Sequence, residues 1–257
     1  MSGRDQDTPW YVTAFDRSYL ERYGHRDDAE AERQVGFLRR AGLLQPGSRV
    51  LDLCCGAGRH SARISPLSAM AFGMDLSPDL LLVARDALLA AAGKAPLVRG
   101  DMRHLPYRDG SFDAVIQMFT AFGYFQEDAQ NRLVLKEVAR VLRPGGGFVL
   151  DLLNRTRAVR TLVPRSRETR PDGTLVLQER RFDASSGRIE KRITEFKDGA
   201  ETLHRFETVR VFDLDEIRSW LSAARLEITR AHGEFEEGPF DPDNSERLVI
   251  LATRDVT

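Results

Sequence analysis

The stretch Val50-Leu51-Asp52-Leu53-Cys54-Cys55-Gly56-Ala57-Gly58-Arg59-His60 carries a short apolar run into an acid and then into two glycines one residue apart. A chain with this pattern is driven to form a buried strand, a tight turn and a helix. Gly56 and Gly58 can take backbone angles, and allow an approach, that a Cβ forbids, and the helix that follows offers its free N–H groups to a ligand. A dinucleotide fingerprint would place a third glycine where this chain has Ser61. Two glycines alone do not identify a ligand, so the following strands have to decide.

Those strands repeat the theme. The run Met70 to Met74 ends in Asp75, seventeen positions after Gly58, where an acid holds a ribose diol by paired hydrogen bonds. A third run, Pro96 to Gly100, ends in Asp101-Met102, and a fourth, Phe112 to Met118, follows a Gly110-Ser111 turn. One acid in a strand-to-helix loop is ordinarily a surface residue. Three strands in succession that finish in aspartate favour a shared ligand.

These residues resemble the class I methyltransferases that use S-adenosylmethionine. Asp52 to Gly58 is similar to their first motif, and Leu142-Arg143-Pro144-Gly145-Gly146-Gly147 is similar to the turn before their fifth strand. The resemblance covers about residues 35 to 154. It implies that Asp52, Cys54, Gly56 and Gly58 bind the cofactor, that Asp75 with Leu76 holds the ribose, and that Asp101-Met102 recognises adenine. It also implies an amino-terminal helix over the cofactor, with Tyr11 reaching the methionine end. Cys54 stands where many members carry glycine, a position that tolerates small residues.

Length and charge agree with an enzyme of this kind. The chain has 257 residues and a net charge of −1, enough for one large core and too little basic excess for general nucleic-acid affinity. The polar start Met1 to Asp7 lacks an apolar signal region and no long apolar run follows, so a cytoplasmic protein with no membrane partner is expected. Cys54 and Cys55 are adjacent, a poor geometry for a mutual disulfide. The five histidines show no metal-ligand spacing, and no metal is expected.

Periodicity divides the chain into four parts. Residues 1–34 carry Tyr11, Phe15, Tyr19 and Tyr23 at helical spacing, an aromatic helix that packs on the domain or closes over its site. Residues 35–154 alternate strands and helices, which implies right-handed crossovers and a parallel sheet covered on both faces. Ser77-Pro78 caps one of these helices, from Asp79 to about Ala92. Residues 155–211 read as an antiparallel β insertion after the fifth strand, with turns at Asp183 to Gly187 and Lys197 to Gly199. In residues 212–257, Asp213 and Glu216 cap a last helix and two strands close the sheet. The expected fold is therefore α/β, Rossmann-like, with a seven-stranded mostly parallel sheet, helices on both faces and an antiparallel insertion placed as a roof over the acceptor.

The segment after the fourth strand, Gln117 to Tyr124, should lie beside the transferable methyl. There Gln117 could bond the methionine moiety and Tyr124 could face the acceptor. His204, on a roof strand, could serve as a base or be an ordinary surface histidine. Six arginines, Arg155, Arg157, Arg160, Arg165, Arg167 and Arg170, fall within sixteen residues; they could bind an anionic group of the acceptor, though such runs are usually solvated. The expected activity is transfer of a methyl group from S-adenosylmethionine to a small-molecule acceptor by in-line displacement. Positioning can supply most of the rate, and a general base is needed only if the acceptor still holds its proton. An RNA methyltransferase that uses the arginine run, a non-catalytic binder of the cofactor, and a nicotinamide oxidoreductase are the alternatives.

Overall fold

The computed structural model describes residues 8–16, 19–20, 28–67, 69–91, 95–236 and 238–256. Its strands are β1 (Arg49–Leu53), β2 (Met70–Asp75), β3 (Leu97–Arg99), β4 (Phe112–Gln117), β5 (Leu142–Leu153), β6 (Arg165–Thr169), β7 (Leu175–Asp183), β8 (Arg188–Lys197), β9 (Ala200–Arg210), β10 (Leu226–His232) and β11 (Arg247–Arg254). Seven form one sheet in the order β10-β11-β5-β4-β1-β2-β3. Pairing is parallel from β5 to β3 and antiparallel at β11 and β10.

Apolar residues on successive positions make β1, β4 and β5 suited to burial on both faces. Val50, Leu51 and Leu53, and Phe148, Val149 and Leu150, are indeed inaccessible. One face packs Phe112, Phe148 and Val115 against α5 (Asp128–Val141) and α7 (Leu214–Ala223). The other packs Val50, Ile116 and Val149 against α2 (Asp28–Arg40) and α3 (Arg59–Ile64).

Caps set where helices begin. The Ser77 hydroxyl accepts from Leu80 N at 3.2 Å, with proline next, at the start of α4 (Pro78–Ala90). Asp213 accepts from Glu216 N at 2.8 Å at the start of α7. Gly58 lets α3 approach α4: a Cβ there would lie 2.9 Å from Ala84 Cβ.

Three local expectations differ from the structure. Leu142 to Gly147 is not a separate turn, because Leu142 already pairs with Phe112 and the next pair is Ala114 with Gly147, so residues 143–146 loop out within β5. Helix α4 ends at Ala90, and Ala92 lies outside the described residues. The amino-terminal aromatics do not form one helix: α1 (Trp10–Thr13) stops and the chain bends at residues 14–16. The Ala14 and Phe15 carbonyls accept instead from Arg205 (2.8 Å) and the Ser77 hydroxyl (2.5 Å), which removes them from a continuing helical ladder. Tyr23 lies outside the described residues.

After β5, α6 (Arg155–Arg160) leads into a separate antiparallel sheet, β6-β7-β8-β9. The β7–β8 turn is tied by Asp183, whose carboxylate accepts from Ser185 N, Ser185 Oγ and Ser186 Oγ.

Candidate active site

Strand order reverses between β1 and β4: from β1 the chain builds outward through β2 and β3, then returns to β4 on the other side. A crevice opens at the carboxyl ends of strands where order reverses in this way. Here it is a cavity of about 220 Å³, bounded by the loops after β1, β2, β3 and β4 and by the amino-terminal segment.

Asp75 sits at the tip of β2, 9% exposed. One oxygen accepts from Gly56 N and the other from Ser77 N, both at 2.8 Å. Burial raises the carboxyl above its ordinary value against the pull of those backbone bonds. Each oxygen keeps a lone pair, which suits a vicinal diol. Gly56, at φ +54, has nothing nearer to a Cβ position than Leu80 Cδ1 at 3.9 Å, so the loop leaves room for an adenosyl group. Leu76 also lines the cavity. The residues present therefore fit the cofactor.

Asp52 also lines the cavity. Its carboxylate accepts from Ser61 Oγ at 2.6 Å and Ser61 N at 3.1 Å, fastening β1 to α3. Ser61, where a third glycine is missing, thus supplies a hydroxyl that glycine lacks. Burial pushes the Asp52 carboxyl up to about 6 despite those bonds. His60, also buried and on the cavity wall, bonds Gln34 Oε1 at 2.7 Å, and burial with Arg59 and Arg63 pushes its imidazole down to about 3.

These two groups oppose each other with pH. Asp52 binds a proton more tightly when folded, so its contribution to stability is present below 3.8 and lost as pH rises through about 6. His60 binds one less tightly, so its contribution is present above 6.5 and lost as pH falls toward about 3. Urea midpoints between about pH 4 and 6 should therefore rise more steeply with pH in Asp52→Asn than in the parent, and less steeply in His60→Gln. Slopes unchanged in both variants would remove these two groups from the acid response.

At the tip of β3, Asp101 is forked by Arg103 (Nη2 to Oδ2 2.6 Å, Nε to Oδ1 3.0 Å). Burial raises this carboxyl, but the Arg103 bonds and charge outweigh it and hold it below its ordinary value. Tyr11, Cys54 and Met102 also line the cavity; the Cys54 and Met102 sulfurs are 3.7 Å apart. Burial pushes the thiols of Cys54 and Cys55 up, and both cysteines are free. Gln117 does not line the cavity. Its Nε2 props the next loop through Ala121 O at 2.7 Å, while its buried Oε1 has no hydrogen-bond partner among the described residues.

That loop, like Cys54 at φ 61°, holds backbone in the left-handed region. Phe119 and Thr120 take φ of 58° and 56°, a region uncommon for residues with a Cβ. The turn is fastened from behind by Asp151 on β5, which is fully buried: Oδ2 accepts from Phe119 N at 2.8 Å and Oδ1 from Arg247 Nε at 2.5 Å. Arg247 also reaches Thr120 Oγ1 at 3.1 Å. The sequence sign of this pair is the lone acid within the apolar run Phe148 to Leu153.

Aromatic rings close one end of the cavity. The Tyr124 ring lies 5.7 Å from Phe15, stacked, and 5.0 Å from Trp10, and Phe125 lies 5.2 Å from Tyr11. The segment carrying Trp10 to Asp16 is pinned at both flanks, to the core by Ser77 and to the insertion by Arg205, which also pairs with Asp16.

Other expected positions fall elsewhere. Gly58 backs onto α4 rather than lining the cavity. His204 is exposed on the outer face of the insertion sheet, beside Arg192 and Thr194, because alternation along β9 turns its neighbour Arg205 toward the Ala14–Asp16 segment instead. None of the cavity's described lining residues comes from residues 155–211. The arginine run is largely neutralised: Arg155 pairs with Asp213, Arg157 with Glu246, Arg165 with Glu179 and Arg170 with Glu195, and Arg160 donates to the Asp243 carbonyl. Among the described residues no helix is long and apolar enough to cross a membrane, and no His, Cys, Asp and Glu gather as a metal site.

Known proteins resemble this chain in sequence and in fold. Residues 50–146 match the family model described as a methyltransferase domain. An uncharacterized methyltransferase from Synechocystis is 35% identical over 112 residues, 44% of this chain and 50% of that protein, so the match spans about half of that relative. A cypemycin N-terminal methyltransferase from Streptomyces is 30% identical over 209 residues, 80% of this chain and 83% of that protein. The fold is that of an S-adenosylmethionine-dependent methyltransferase from Clostridium acetobutylicum, with a TM-score of 0.77 at 18% identity over 93% of this chain and 96% of that one. A site at the reversal of strand order, an acid at the tip of β2 and a relative alike along most of both chains lead to one conclusion: this chain belongs to the class I S-adenosylmethionine-dependent methyltransferases.

Proposed function

We propose that the enzyme methylates a small molecule, at an amine nitrogen, inside the cavity between the lid and the loop after β4. The observation that carries this reading is the enclosure of the acceptor end by aromatic rings of Phe15, Tyr19, Phe119 and Tyr124. A space of this size and lining suits a compact, weakly polar acceptor better than a nucleic acid, and the paired arginines leave little basic surface for RNA. Nitrogen is supported by the relative named for an N-terminal methylation.

When bound, S-adenosylmethionine supplies a methyl group already activated on sulfur. In this reading Asp75 and Leu76 hold the ribose, Asp101 and Met102 the adenine, and Tyr11 the methionine end. Positioning by these groups and by Tyr124 is the main source of rate, worth about 7–11 kcal/mol for well-oriented reactants. Burial and the neighbouring Arg59 and Arg63 push the His60 imidazole down to about 3, so it stays neutral at physiological pH and is too weak a base to take a proton from the acceptor; the amine reacts in its neutral form, its ammonium proton having gone to solvent before transfer. Aromatic faces suit the cation that forms on nitrogen, by about 0.5–2 kcal/mol per good contact.

The test is a screen with methyl-labelled S-adenosylmethionine against small amines, alcohols, thiols and total RNA. Label is expected in an amine. Label in RNA would revive the nucleic-acid reading, and cofactor binding without turnover of any acceptor would leave a binder.

A further inference from the structure

Arg188, on β8 of the insertion, is the largest of the fully buried side chains among the described residues. Its Nε donates to Thr208 Oγ1 at 2.9 Å and its Nη1 to Phe125 O at 2.9 Å. Its Nη2 donates to the carbonyls of Gly123, Tyr124 and Thr208, each at 3.1 Å. The guanidinium has no ion pair among the described residues. Burial and the nearby Arg210 hold it below its ordinary value, while Asp128 and Glu190 act from a distance in the other direction. A buried charge without a counterion is retained only where dipoles are aimed at it, and here three consecutive carbonyls of one loop are.

That loop is the acceptor wall. Turning the 123, 124 and 125 carbonyls toward one cation fixes the peptide planes between which the Tyr124 and Phe125 side chains emerge, and both rings line the cavity. One further anchor is local and one comes from the insertion. Asn131 bonds Phe125 through both its amide groups, and Gly123 O also accepts from Arg210 N at 2.9 Å. Gly123 stands at φ +88°, and a Cβ there would meet Arg210 O at 2.5 Å, so loop and insertion are in direct backbone contact.

We propose that Arg188 is a positioning residue for methyl transfer, holding Tyr124 against the lid, and that the insertion governs acceptor handling through this side chain rather than by lining the cavity. The second half rests on the proposed function; the placement of Tyr124 does not.

The test separates the two. In a Trp220→Phe background Trp10 is the sole tryptophan, since the chain has two, and its ring is 5.0 Å from Tyr124. Arg188→Met should shift Trp10 emission and raise its quenching by acrylamide, while the dissociation constant of S-adenosylhomocysteine stays within about 2-fold. With an amine found in the screen, kcat/KM for that amine should fall on the order of 100-fold, mostly in kcat, and Arg188→Lys should recover about 10-fold because one ammonium still reaches part of the carbonyl set. If Arg188→Met does not fold, Arg188→Lys decides alone, with the same emission shift and an intermediate loss of kcat/KM. An unchanged Trp10 signal in a folded variant overturns the placement. A changed signal with unchanged kcat/KM overturns the link to transfer, as does a loss of cofactor affinity equal to the loss of turnover, which would mark a structural role only.

Discussion

Asp75→Ala is expected to weaken binding of S-adenosylmethionine and S-adenosylhomocysteine by about 2–4 kcal/mol, roughly 30- to 1000-fold, through loss of two charge-assisted hydrogen bonds to the ribose. A residue at a strand tip would ordinarily be replaced at little cost to folding. Here the same carboxylate also accepts from Gly56 N and Ser77 N, so the alanine variant strands two partly buried donors. We therefore expect a further loss of about 1–3 kcal/mol in stability. Calorimetry with S-adenosylhomocysteine and urea unfolding measure the two effects separately. Unchanged affinity in a folded variant would put the ribose elsewhere.

Asp151→Ala should cost the fold about 3–5 kcal/mol, the usual result of removing one member of a buried ion pair. It leaves Arg247 without its carboxylate and Phe119 N without its acceptor. The Phe119 and Thr120 turn, at φ 58° and 56°, would then lose the contacts that hold it, and residues in such regions cost about 1–3 kcal/mol each to maintain. Turnover should fall with stability. Removing both charges, as Asp151→Leu with Arg247→Met, should recover much of the lost stability, because the main penalty is an unpaired charge rather than a missing bond. A double variant as unstable as the sum of the single ones would refute this account.

Much of the cavity wall at the ends of β1, β2 and β3 was legible because the residues that line it also fix the local fold. Asp75 and Asp101 end strands whose apolar runs identify them, Gly56 takes the positive φ that the turn after β1 requires, and Ser77 and Asp213 are caps whose side chains act on the next turn. The acceptor side was less legible because its contacts are distant in sequence. The arginine run reads as a basic patch until Asp213 and Glu246 are placed beside Arg155 and Arg157. Helical spacing of Tyr11, Phe15 and Tyr19 was real, but carbonyls needed for the helix were claimed by Ser77 and Arg205. On β9, alternation shows that His204 and Arg205 face opposite ways and cannot say which faces the lid. Arg188 has no sequence signal at all: it is one arginine among many in a charged hairpin.

Strand β11 lies inside the sheet, between β5 and β10, and it pairs Val249 with Asp151 across 98 positions of chain. A ribosome adding about 5–20 residues per second delivers that partner roughly 5–20 s after β5 itself. In that interval the apolar edge of β5 is open and the turn at Phe119 lacks Arg247, while the insertion sheet, built from neighbouring hairpins, can already form. The catalytic half of the molecule is thus finished last during synthesis, and β5 is the segment a chaperone would most need to cover.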